Sequence, residues 1–235
     1  MSAARPQLAP ALAQPNLNGR SPLAHLLHAL NQPLTGLQCS MELAVAGPRP
    51  KDQYVRTLRE GLDLVARIRL LVEALREVAE LQACSLGESS VTQFDHALQD
   101  VLHELQPVAE ARNIGLNAAI AAGLEVRADV HITALIFRFL DSILSLACGA
   151  SDLQVTAAPE RNSACLTVSW ICDAPPEHSP FSRPELGLLI AQAGWEQIDA
   201  KCMQSQNGRE CLWQVRIPLA SAAHSENQIE NGDLK

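Results

Sequence analysis

Leucines recur at three- and four-residue steps along the first part of the chain, which is the stripe of an amphipathic helix. Leu23, Leu26, Leu27, Leu30, Leu34, Leu37, Met41 and Ala44 form that stripe. Ser21 and Pro22 suit its start, because serine caps a helix and proline is tolerated in the first turn. Pro33 falls inside the stripe, where it removes one backbone hydrogen bond and is expected to kink the helix. Gly47-Pro48-Arg49-Pro50 ends it. A second helix is expected over 51–82, with Tyr54, Leu58, Leu62, Val65, Ile68, Val72, Leu75 and Ala79 as its stripe and Arg56, Arg59, Arg67, Arg69 and Arg76 mostly off it. Two long helices joined by a short turn make an antiparallel hairpin. A hairpin cannot bury a long apolar stripe alone, so pairing of two copies as a four-helix bundle, a homodimer, is the expected solution.

After a connector at 84–90 the period changes. A short strand at 91–94 precedes a helix at 95–112, followed by strands at 114–116 and 124–127. Asp129 is expected to cap a helix reaching 147, with Val130, Leu135, Ile136, Phe139, Leu140, Ile143 and Leu144 inward. Alternating strands are expected at 153–157 and 165–171, then, beyond a proline-rich loop, a helix at 184–193 and strands at 197–203 and 211–218. Asn207-Gly208 signals a hairpin between the last two. The fold class is therefore α+β: an N-terminal helical hairpin over 21–83, then an α/β sandwich over 91–220 with a mixed sheet covered by helices. Residues 1–20, rich in Ala, Pro, Gln and Asn, read as a flexible arm, and 221–235 as a flexible polar tail.

Composition narrows the function. The chain has 235 residues, 47% of them hydrophobic and 3% aromatic, so it folds around an aliphatic core. A formal net charge of −8 argues against nucleic acid or an anionic membrane as partner. The seven cysteines are scattered, form no CxxC and have no histidine pair at metal-ligand spacing, so no metal site is expected. No apolar stretch is long enough to span a bilayer, and a cytoplasmic protein is expected.

The segment with the most chemistry is His28-Ala29-Leu30-Asn31-Gln32-Pro33-Leu34. His28 lies on the solvent side of the leucine stripe, where another protein can reach its imidazole. A neutral ring nitrogen can attack a phosphoryl group, and the phosphohistidine formed is labile enough to pass it on. An ordinary exposed helix histidine is the bland alternative, about as frequent. The segment resembles the phosphoacceptor box of sensor histidine kinases: a His, an acid, a variable pair, a polar residue, Pro and Leu. His25 is the rival, but only His28 has the right offset to Pro33. The second half, from 91 to 219, resembles the ATP-binding domain of the same family. Gly208-Arg209-Glu210-Cys211-Leu212-Trp213 through Ile217-Pro218 is similar to its terminal strand, and Ser142 to Ala147 lies where it has its NLLxNA helix. Val168 to Asp173 resembles the strand leading into DxGxG, and Glu185-Leu186-Gly187-Leu188 resembles GLGL.

The departures from that pattern change what the resemblance implies. Leu146 stands where the family holds magnesium with an Asn, and it has no oxygen for a hard cation. Asp173 and Gly187 keep their places as a vestigial nucleotide site, but Pro175, Glu177, Glu185 and Glu210 replace glycines. An acid beside a polyphosphate repels it. Ala29 replaces the acid that assists transfer from ATP, and general-base assistance contributes about a hundredfold or more. Transfer from a receiver aspartyl-phosphate suffers less, since a receiver brings its own metal and lysine. Gln32 sits where the family's phosphatase residue orients a water, although a solvated helix residue reads the same way, and Asn31 is counted with His28 and Gln32 among the catalytic candidates. The resemblance thus implies a histidine phosphotransferase of a phosphorelay, acting through His28 without ATP or any other cofactor. Its expected partners are a response-regulator receiver domain, a sensor or hybrid kinase and a second copy. Two alternatives stay open: an active divergent histidine kinase using ATP and magnesium, and a non-catalytic pseudokinase adaptor or phosphatase acting on a response regulator.

Overall fold

The computed structural model describes residues 21–84, 90–128, 131–147, 149–172 and 182–220. The expected arm, tail, Asp129 cap and the loop with Asp173, Pro175 and Glu177 lie outside them.

Helix α1 (Pro22–Val45) and helix α2 (Lys51–Cys84) form the antiparallel hairpin. Pro22 occupies the first turn, and Ser21 precedes it as N-cap without a side-chain cap bond; its carbonyl accepts the His25 N–H at 3.1 Å. α1 continues through Pro33 as one helix. In the turn, the Tyr54 hydroxyl donates to the Gly47 carbonyl at 3.2 Å.

Of the leucine stripe only Leu26 is fully buried. Pro22, Leu26, Ala29 and Pro33 are buried, whereas Leu27, Leu34 and Met41 are exposed. On α2 the buried residues are Leu71, Ala74 and Val78, none of which belongs to the expected stripe; Leu58, Leu62, Val65 and Val72 of that stripe are exposed. The face of α2 that the structure buries is centred on residues outside the expected stripe.

The second half is built from β1 (Ser90–Gln93), α3 (Phe94–Ala111), β2 (Gly115–Ile120), β3 (Glu125–Ala128), α4 (Ile132–Leu146), β4 (Asp152–Glu160), β5 (Ser163–Ile171), α5 (Arg183–Gln197), β6 (Lys201–Asn207) and β7 (Glu210–Pro218). The strands form two sheets. β1 and β3 make an antiparallel pair, and the larger sheet has the order β2-β4-β5-β7-β6, with β2 parallel to β4 and the other pairs antiparallel. Leu153, Val155 and Ala157 of β4, Leu166, Val168 and Trp170 of β5, and Cys211, Trp213, Val215 and Ile217 of β7 point to one face, where they meet buried residues of α3, α4 and α5. Period-two burial on β4 and β7 is what a sheet covered on one side requires. Phe139 lies edge-on to both Trp195 and Trp213, with ring centroids 6.1 and 5.9 Å apart, a favoured aromatic geometry.

Several boundaries differ from expectation: β2 runs on to Ile120 and β4 to Glu160, beyond the expected 116 and 157. α5 extends to Gln197, so the strand expected from 197 starts at Lys201. The Trp195 carbonyl accepts the N–H groups of Ile198 and Ala200 at 3.2 and 2.9 Å, and Asp199 takes a left-handed φ of 55°, which closes the helix before the chain turns. The β6–β7 turn is centred on Gly208-Arg209, with Gly208 at φ 62°, where a two-residue hairpin turn favours glycine.

Candidate functional site

His28 is exposed on the first half of α1, and His25, its rival, is half-buried. Asn31 and Gln32 are exposed as well. They lie three and four residues after His28, so helix geometry makes all three neighbours on one surface. The Asn31 carbonyl also accepts the Thr35 hydroxyl at 2.8 Å, which leaves the Asn31 side chain uninvolved in that bond. The next residue in the chain behaves oppositely: Ala29 is 0% exposed, packed in a cluster with Leu26, Leu71, Ala74 and Val78 of the hairpin and Leu186, Leu189, Ile190 and Ala193 of α5.

Of the positions likened to a nucleotide site, Gly187 lies where α4 meets α5. Gly187 faces Ser142, one turn before Leu146, and a Cβ on Gly187 would collide with the Ser142 hydroxyl. Seven residues on, a Cβ on Gly194 would lie 2.6 Å from Leu135. The two glycines let the helices close on each other along two turns. Leu146, half-buried, packs against the main core. Glu185 sits in the first turn of α5, and its carboxylate accepts the Ser182 N–H at 3.0 Å. A helix N-terminus attracts anions through its free N–H groups and its dipole. Here the chain's own carboxylate holds that place. Glu210 is exposed at the start of β7, opposite Ile171. Asp173 lies outside the described residues, so Gly187 alone of the two vestigial candidates is described, and its surroundings are those of a helix contact.

Sequence reasoning missed Ser142 and Gly194, the residues facing or forming that close approach, and the buried role of Ala29. Ser182 and Glu185 carried a legible signal, since Ser-x-x-Glu before an apolar run is a capping box. Among the described residues no three His, Cys, Asp or Glu side chains gather as metal ligands, and no helix is long and apolar enough to cross a membrane.

The sequence matches no family model and no curated protein, but solved structures match its backbone. The histidine kinase ThkA, in complex with the response regulator TrrA, aligns at a TM-score of 0.53 with 17% identity, over 84% of this chain and 60% of that one. The histidine kinase AdeS of Acinetobacter baumannii aligns at 0.50 with 16% identity, over 82% of this chain and 98% of that one. A histidine kinase of Burkholderia phymatum STM815 aligns at 0.50 with 16% identity, over 86% and 100%. The chain has the fold of a histidine-kinase core. Within that histidine-kinase fold, the hairpin and the sandwich occur in the order that the sequence suggested, and the matches span both.

Proposed function

We propose that the chain is a histidine phosphotransferase of a two-component phosphorelay. An imidazole nitrogen of His28 attacks the phosphorus of a receiver aspartyl-phosphate, the bond from phosphorus to the aspartate oxygen breaks, and the aspartate leaves as a carboxylate. A second receiver aspartate then takes the phosphoryl group from the phosphohistidine, regenerating the imidazole. Asn31 and Gln32 lie one turn further along α1 and can hydrogen-bond phosphoryl oxygens or a water. A second copy covers the outward apolar residues of the hairpin, among them Leu34, Met41, Leu58, Leu62 and Val72, which are exposed in the single chain. The ThkA complex lends a response regulator weight as partner, because that protein has the same fold and is bound to one.

The contrast between an open His28 and a filled α4–α5 junction carries this reading. Glu185 on the α5 N-terminus, Gly187 closed on Ser142 and an apolar Leu146 do not fit a magnesium nucleotide. The sandwich then serves as a docking platform beside His28 and not as an ATPase. Calorimetric titration with ATP and magnesium, then incubation with labelled ATP, tests the first half: no binding heat and no label are expected. Transfer from a phosphorylated receiver domain tests the second. Label is expected on the wild type and not on His28→Ala. Micromolar ATP binding with label lost in His28→Ala would replace this reading with that of a divergent kinase. A receiver bound equally by His28→Ala, with no transfer to the wild type, would replace it with that of an adaptor.

A further inference from the structure

We infer that the hairpin and the sandwich work as one rigid body, latched through α5, and that Ala29 is the residue of α1 that admits the latch. From Leu186 to Trp195 every residue of α5 except Gly187 is buried, so this stretch of the helix has no solvent face. A helix apolar all round is buried on all sides. Leu188, Ala191 and Trp195, at i, i+3 and i+7, enter the core of the sandwich. Leu186, Leu189, Ile190 and Ala193, at i, i+3, i+4 and i+7, enter the hairpin cluster instead. The same helix therefore belongs to two cores. Parting the two halves would expose the second set together with Leu26, Ala29, Leu71, Ala74 and Val78 of the hairpin. Relative motion is the ordinary state of joined units unless their interface is large and hydrophobic, and the cluster at this one is built from aliphatic side chains. Arg138 of α4 and Glu77 of α2 add an ion pair across the same junction.

Ala29 is the tightest condition on the latch. Its neighbour His28 is exposed, yet Ala29 is 0% exposed beneath α5. A carboxylate at 29 would be buried among eight other apolar side chains of the cluster with no partner, which a charge does not tolerate. The small residue after the histidine thus has a structural reason. An incoming partner meets His28 with the sandwich always in the same relative position. This inference does not depend on the phosphotransferase reading, since it concerns the joint between the halves whatever reaches His28.

The test uses the full chain and three variants: Ala29→Glu, Ile190→Glu from the α5 side of the interface, and Ala24→Glu at an exposed position of α1. Small-angle scattering and amide exchange along α5 are read for each, with helical circular dichroism as the folding control. The wild type and Ala24→Glu are expected to scatter as one fixed arrangement with slow exchange in α5. Ala29→Glu and Ile190→Glu are expected to keep their helical signal, scatter as a set of separated arrangements and exchange α5 amides about tenfold faster or more. Wild-type scattering and unchanged α5 exchange in both variants would overturn the proposal. Should either variant lose its helical signal, the wild-type curve decides: a curve that requires several relative positions of the two halves also overturns it.

Discussion

Replacing Gly187 by alanine measures how closely α4 and α5 approach each other. The added Cβ would meet the Ser142 hydroxyl head-on and lie 3.3 Å from the Ser142 Cβ. The hydroxyl can turn to another rotamer, but the Cβ moves only if α4 moves with it. Overpacking of this kind costs about 1–3 kcal/mol. Against it stands helix propensity, which favours alanine over glycine by about 0.8–1 kcal/mol in a helix interior. The difference leaves Gly187→Ala destabilising by about 1 kcal/mol. In a Ser142→Gly background both obstructing atoms are gone, and the same substitution should stabilise by up to about 1 kcal/mol. The sign reverses, with a coupling energy of about 2 kcal/mol between the two positions. Urea unfolding followed by the fluorescence of Trp170, Trp195 and Trp213, all of them buried, reads this directly. The same sign in both backgrounds, or a coupling below about 0.5 kcal/mol, would refute the claim that Gly187 serves the helix contact.

Other substitutions probe neighbouring features. Glu185→Ala removes the carboxylate at the α5 N-terminus and should lower stability by about 0.3–1 kcal/mol, seen as a lower Tm, whereas Glu185→Gln keeps an acceptor and should lose less. Phe139→Ala empties a site that is 1% exposed between two tryptophans, and a loss of about 3–5 kcal/mol in urea unfolding is expected. Burial, with the Glu196 charge as a smaller cause, pushes the Cys202 thiol up to about 12 from an ordinary value of 9.0. Between those values the unfolded chain gives up this proton and the folded chain keeps it, so stability falls as pH rises through that window. Cys202→Ala should lose that part of the alkaline destabilisation, measured as the difference in the pH dependence of Tm between variant and wild type over pH 9–11.

The hairpin and the His28 surface were legible because both are local. A 3.6-residue period and the spacing from His28 to Pro33 lie within one helix, and the structure puts His28, Asn31 and Gln32 on its open surface as the period requires. What the sequence hid was which of the apolar residues of α2 meet the rest of the chain. Leu71, Ala74 and Val78 are buried by α5, more than a hundred residues later, and no pattern inside α2 ranks them above Leu62 or Val72. The clue was in α5 itself, where Gln192 is the lone polar residue between Leu186 and Trp195; a helix so apolar needs two neighbours. Glu185 was read only as an acid in a glycine's place, although its spacing from Ser182 announced a cap. The early start expected for β6 has the same root, since the closure of α5 depends on the left-handed turn at Asp199 and the carbonyl of Trp195.

The strand order has a consequence for synthesis. β7 is the last strand among the described residues, yet it lies between β5 and β6, pairing along its full length with β5 and from Glu210 to Arg216 with β6. Leu219, just beyond it, bridges to Val126, so the end of the sandwich is tied to its beginning. A nascent chain leaving the ribosome can therefore wind its hairpin early from neighbouring residues, but its sheet stays open between β5 and β6 until β7 emerges. Such late, long-range pairing is slow to form and leaves unpaired strand edges waiting. Earlier still, Leu26, Leu71 and Val78 wait uncovered until α5 is made. The half-made protein is the form most in need of a chaperone, and removal of the last ten described residues would take away nearly all of β7 and leave β6 without its partner strand.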